Sequence, residues 1–196
     1  MEFIADFDKQ KSETDENNNR FTLTFTVDDC SPGTAQAQGY RLPFVGKSII
    51  TNGPGCGPTH GLDPHYAKSR EAIDFAMPVG TTVYAAEVGD IVFAGWNDQG
   101  FGNLIKIKHD DGNISFYAHL DSFIKTSGRV DKGVPIAKSG KTGGKYGPHL
   151  HFEVRDSSGM PVSIRDLPGI TWYSGDASKP CQPPGQPDVN AVGPPL

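Results

Sequence analysis

The chain is poor in cysteine, in excess positive charge and in long apolar runs, and each shortage removes a class of protein. Its three cysteines, Cys30, Cys56 and Cys181, are widely separated and form no CxxC pair, which argues against thiolate metal sites. One disulfide plus a free thiol, in any pairing, and three reduced thiols are both compatible with that spacing. Lysine and arginine total 18 against 23 acidic residues, for a formal net charge of -5. That leaves no basic footprint for nucleic acid. No stretch approaches the roughly 20 apolar residues that cross a bilayer, so no membrane span is expected. The start, Met1-Glu2-Phe3-Ile4-Ala5-Asp6, lacks the basic and then apolar segments of a secretory leader. Either the protein is cytosolic or such a leader has been removed.

Glycine (24) and proline (16) are plentiful, which favours short strands and turns over long helices. At 196 residues and 36% hydrophobic, the chain can bury one core with tails to spare. Residues 1–39 read as an N-terminal extension. Within it, polar residues 9–20 form a loop or tail, and Phe21, Leu23, Phe25 and Val27 alternate with threonines as one strand. Residues 40–175 make up the main domain, and residues 176–196 a Pro-rich, mostly unstructured tail.

Within the main domain, strands are expected over 81–86, 90–94, 103–109, 113–119, 134–137 and 150–155. Asp110-Asp111-Gly112-Asn113 is a hairpin signal. Ile105 and Ile107 should point inward, and Lys106 and Lys108 toward water. His109, beside Asp110 at this hairpin, is expected to be solvated, and Tyr117 to be core. No internal repeat and no long helix is evident.

In the run Gly147-Pro148-His149-Leu150-His151-Phe152-Glu153, strand geometry points His149 and His151 to one face. A lone strand histidine is more often packed than ligating. Here a pair is joined by His119, at the end of another strand-like run, and by Asp74, embedded in Ala72-Ile73-Asp74-Phe75-Ala76. A carboxylate in apolar surroundings is costly without a compensating cation, and a metal supplies one. Glu153 continues the alternation, either orienting His151 or serving as an ordinary strand-end carboxylate. Gly140–Gly147 lacks the Walker spacing of a phosphate loop and reads as a groove wall.

Together these pieces resemble the lysostaphin and LytM-type zinc metallopeptidases, peptidase family M23. The matching segments are Ala72-Ile73-Asp74-Phe75, Pro78 to Ala86, Gly102-Asn103, Tyr117-Ala118-His119-Leu120, and Gly140-Lys141-Thr142-Gly143 leading into the His149/His151 run. The resemblance implies a mainly β fold, an antiparallel barrel-sandwich hybrid of the LytM/lysostaphin type with a duplicated hybrid motif and a groove floored by sheet. It implies Zn2+ as cofactor, with Asp74 and His151 as ligands and His119 and His149 as catalytic residues.

The third ligand is less direct, because Arg70 stands four residues before Asp74, where the commonest family pattern has histidine. His60 is preferred: Thr51-Asn52-Gly53 followed by Thr59-His60-Gly61 resembles a subgroup whose ligand lies upstream. His65 is the alternative, its distance to Asp74 being closer to that subgroup's gap. Two imidazoles and a carboxylate would leave an open fourth position, as in a catalytic zinc site. A general base and an oxyanion donor would come from His119 and His149, in either assignment.

The implied function is hydrolysis of cross-linking or stem peptides in peptidoglycan by a secreted or periplasmic protein, expected to be a monomer. The alternative is a non-catalytic wall-binding or regulatory module on the same fold. A biotinyl or phosphotransfer carrier would need a modified lysine or a single histidine, not an acid with converging histidines.

Overall fold

Alternation of apolar and polar residues, rather than helical periodicity, governs the folded part of the chain. The computed structural model describes residues 39–56, 58–60, 63–144, 146–169 and 190–195. They belong to a compact unit spanning Ala37–Leu196. The expected strand at Phe21–Val27 and the polar stretch 9–20 lie outside the described residues.

Twelve strands are described: β1 (Gly46–Asn52), β2 (Ile73–Ala76), β3 (Thr82–Tyr84), β4 (Gly89–Asn97), β5 (Gly102–His109), β6 (Ile114–Ala118), β7 (Leu120–Phe123), β8 (Gly128–Val130), β9 (Pro135–Ser139), β10 (His149–Arg155), β11 (Pro161–Val162) and β12 (Asn190–Gly193). The only helical pieces among the described residues are 3-10 turns at Pro58–His60, Pro64–Ser69 and Ile164–Asp166. The large sheet runs β12-β1-β2-β10-β6-β5-β4-β8, with β11 added beside β10, and the small one runs β3-β9-β7. All described pairings are antiparallel.

Each of the six strands expected in the main domain is present, with ends shifted by at most three residues. β2, β7, β8 and β11 carry no sequence signal of their own, because two to four residues hold too little periodicity. β12 departs from the unstructured tail expected there. Asn190–Gly193 is a proline-free stretch between Pro187 and Pro194, so its amides can pair with the exposed edge of β1.

One face of the large sheet carries Phe75, Ile105, Ile107, Tyr117, Leu150, Phe152 and Val154 into the core, where they meet Val83, Leu120 and Ile136 of the small sheet. Tyr117 is core, as expected, with its hydroxyl accepting from the Ala86 amide and from Ser115 Oγ. His109 is not solvated. It is 3% exposed, because alternation places it on the inward side with Ile105 and Ile107. There its ring bonds Val88 O and Ser115 Oγ. Burial lowers its pKa, opposed by the Val88 carbonyl and nearby acids.

The opposite face carries His149, His151, Glu153 and Arg155, and holds a smaller apolar cluster of Leu104, Phe116 and Ala118 packed with Phe101 and Ile114.

Candidate active site

Three central strands set the frame. β10 lies between β2 and β6, with His151 opposite both Asp74 and Ala118. Asp74 and His151 are therefore cross-strand neighbours on one face, and His151 Nδ1 lies 2.9 Å from Asp74 Oδ1.

His60 arrives from the 3-10 turn Pro58–His60, held by two bonds. Asn52 Nδ2 donates to Thr59 Oγ1 at 3.2 Å, and the His60 ring nitrogen Nδ1 donates to Gly53 O at 3.1 Å. The Asn-Gly and Thr-His pairs noted in the sequence thus contact each other directly. His60 is 1% exposed, and its Nε2 stands 3.3 Å from Asp74 Oδ1. His65, by contrast, lies on the exposed Pro64–Ser69 turn, its ring against Tyr66. Arg70 is exposed beside Glu71.

Proton positions follow from chemistry, because a carbonyl oxygen can only accept. The bond to Gly53 O puts a hydrogen on Nδ1 of His60 and leaves Nε2 with a lone pair when the ring is neutral. His119 donates from Nδ1 to Thr142 O at 2.8 Å, and His149 from Nδ1 to Gly147 O at 2.7 Å. Both likewise turn Nε2 away from those carbonyls, and that of His149 lies 4.0 Å from Asp74 Oδ2. His151 is reversed. Its Nε2 faces Glu153 Oε2 at 3.4 Å, so its Nδ1 is the atom offered to Asp74 and His60. Glu153 is 1% exposed, and its other oxygen is ion-paired with Arg155.

The ring of His119 lies against that of His149, with centroids 4.5 Å apart. His119 is the one described non-glycine residue in the left-handed region, at φ 60°. That conformation costs about 1–3 kcal/mol and turns the chain from β6 into β7. The loop holding His119 is itself wedged in place. Thr142 Oγ1 donates to Leu120 O and accepts from the Asn103 amide. Gly143 (φ 77°) meets Gly102 so closely that a Cβ on it would fall 2.6 Å from Gly102 Cα.

Electrostatics separate the histidines. Burial, aided by His151 and His149, lowers the pKa of His119 to about 4. Burial also works against a charged His151, yet the hydrogen bond of Asp74 and the charges of Asp74 and Glu153 prevail and raise it to about 9. Asp74 is pushed up by burial, but the hydrogen bond of His151 and the positive charge the neighbouring imidazoles can carry win and hold it well below the usual carboxylate range.

His60, Asp74 and His151 each offer one ligand atom, all within 4.8 Å of one another. A tetrahedral zinc with bonds near 2.0–2.1 Å separates its ligand atoms by about 3.3 Å, close to the 3.3 and 2.9 Å spacings here. His60 Nε2 and His151 Nε2 are buried without a hydrogen bond. For His60 this is a bare lone pair aimed at a carboxylate, an arrangement a cation would resolve. The three donors fit a zinc ion and leave its fourth position unfilled by these residues.

Residues 68–164 match peptidase family M23. The chain belongs to that family. Over 99 residues it is 41% identical to a DD-carboxypeptidase/endopeptidase, Mpg, of Neisseria meningitidis, an alignment covering 50% of this chain and 23% of that protein. Over 130 residues it is 36% identical to the murein hydrolase activator NlpD of Escherichia coli, covering 66% of this chain and 31% of that one. A crystal structure of a zinc-containing peptidase from Vibrio cholerae superposes with a TM-score of 0.56 at 33% identity, covering 66% of this chain and 41% of that chain. The chain thus spans less than a third of the length of these two curated relatives.

The backbone carbonyls of Gly53, Thr142 and Gly147, and the contribution of Arg155, were not legible in the sequence. Main-chain acceptors carry no residue signature, and Arg155 reads as an ordinary strand end.

Proposed function

We propose that this chain is a zinc-dependent endopeptidase that hydrolyses peptide bonds in bacterial cell-wall peptidoglycan, acting outside the cytoplasm. The observation that carries the reading is the meeting of His60 Nε2, Asp74 and His151 Nδ1 at metal-ligand spacing, beside two imidazoles pinned through Nδ1. Membership of peptidase family M23 and likeness to named peptidases support it.

His60, Asp74 and His151 would hold the zinc, and Glu153 would fix the ring of His151 so that Nδ1 is the ligating atom. When bound, zinc supplies a Lewis acid for the scissile carbonyl and makes water more acidic, to a pKa of about 7 in favourable sites. His119 and His149 present their Nε2 atoms to the substrate. One takes a proton at Nε2 from the attacking water, and the other, when protonated on both ring nitrogens, donates from Nε2 to the oxygen on which charge develops. His119, kept neutral by burial and its neighbours, has a lone pair free at neutral pH. Gly140 to Gly144 would line one side of the site, Gly144 lying near His119.

Incubating the full chain with purified peptidoglycan and analysing released peptides by mass spectrometry tests this. New peptide termini should appear with zinc, vanish with chelator and return when zinc is restored. A second reading, a non-catalytic regulatory module, rests on likeness to the murein hydrolase activator NlpD and on Arg70. A fully zinc-loaded protein that binds peptidoglycan and releases nothing would favour it.

A further inference from the structure

Lys106 was expected to face water, yet it is half-buried on the same sheet face as the metal-binding group. Register places Phe116 opposite Glu153 and Lys106 opposite Phe116. The Lys106 ammonium lies 4.8 Å from the centre of the Phe116 ring and 5.4 Å from that of Phe93. Phe101 bridges back to the site, its ring 6.3 Å from Phe116 and 5.5 Å from His151. An aromatic floor therefore leads from His151 to a lysine.

That lysine has no carboxylate of its own. Of the acids on this face, Asp74 is held by His151, and the two oxygens of Glu153 lie against Arg155 and His151. Arg155 covers the other part of the Phe116 ring and adds a second cation. Asp90, farther along, pairs with Arg129. Among the described residues, no ion pair or hydrogen bond to the Lys106 ammonium is present. Its contacts with two rings are cation–π contacts, which leave three N–H donors unspent.

We propose that Lys106 anchors a carboxylate of the peptide substrate, making the groove selective for an acidic segment on one side of the bond attacked. From strand rise and spacing, Lys106 lies about 12 Å from His151 along the floor, or roughly three to four extended residues. Phe101 and Phe116 carry the intervening chain, and Lys106 terminates it with a charge-assisted bond. The assignment rests on the endopeptidase reading of this groove.

Two fluorescein-labelled, glycine-rich heptapeptides, identical except for Glu or Gln at one position scanned along the chain, test it by anisotropy with the zinc-loaded full chain. At one or two positions three to four residues from the central bond, the Glu peptide should bind about tenfold more tightly, the size expected of a bond between charged partners. The preference should shrink at high salt. Lys106→Met should bring the Glu/Gln ratio to near one, Lys106→Arg should restore most of it, and both should be read only in variants with wild-type zinc content. Equal binding of the two peptides at every position, or a ratio unchanged in Lys106→Met, overturns the proposal. Because binding is read without turnover, a protein that prefers acidic peptides but cuts none retains this subsite and loses only the endopeptidase reading.

Discussion

His60 Nε2 stands 3.3 Å from Asp74 Oδ1, with the opposite nitrogen of the ring already committed to Gly53 O. In a neutral imidazole this sets a lone pair against a carboxylate, which is unfavourable unless a cation lies between them. The same oxygen of Asp74 also meets His151 Nδ1, so one carboxylate ties a turn and a strand into a single group.

Metal content should follow this geometry rather than motif spacing. His60→Ala, Asp74→Ala and His151→Ala should each lower zinc affinity by more than the 10–100-fold typical of losing an outer-shell partner, measured by competition with a chromophoric chelator. Glu153→Gln should fall within that outer-shell range, and His65→Ala should bind zinc as the wild type does. Normal zinc in His60→Ala with loss in His65→Ala would reverse the assignment.

Without metal, stability should peak near pH 6.5. His151 is raised to about 9, so its contribution is present below the unfolded value of about 6.5 and is lost as pH rises toward 9. His119 is lowered to about 4. The unfolded chain therefore takes up a proton that the folded one refuses, and stability falls as pH drops from about 6.5 toward 4. Scanning calorimetry with chelator should show a melting temperature declining on both sides. Zinc, replacing the proton on His151, should flatten the alkaline side and release about one proton at pH 7, visible as a buffer-dependent binding enthalpy.

His119→Ala and His149→Ala should each reduce kcat by about 10²–10⁴-fold while retaining stoichiometric zinc, measured on one cross-linking peptide. Zinc loss in either variant would move that residue from the proton-transfer group to the ligand set.

Gly143→Ala should damage the site from a distance. Its φ of 77° and its approach to Gly102 leave no room for a methyl group, and the adjacent Thr142 carbonyl holds His119. Strain of about 1–3 kcal/mol should lower the melting temperature, and turnover should fall more than zinc affinity. Gly147→Ala, where nothing lies within 4 Å, is the control.

The alternation of β5 and β6 and the turn at Asp110 to Asn113 were legible because a half-buried strand repeats every two residues and a glycine with φ 88° marks the reversal. The His149/His151 pair was legible for the same reason, since local periodicity decides which side chains share a face. His60, His65 and Arg70 show where that ends. All three lie upstream of Asp74 in or at the end of short 3-10 turns, and only the bonds of Asn52 to Thr59 and of His60 to Gly53 select the residue that reaches the carboxylate. His109 lies inward by the same alternation that buries Ile105 and Ile107, despite its place beside the hairpin turn, whereas Lys106 is half-buried because Phe93 and Phe116 pack against it, which strand alternation does not encode. Local order in the chain set the strands and their faces. Long-range contacts decided which histidine meets Asp74, which ring nitrogen carries a proton, and which lysine lies against Phe93 and Phe116, since those depend on groups remote in sequence.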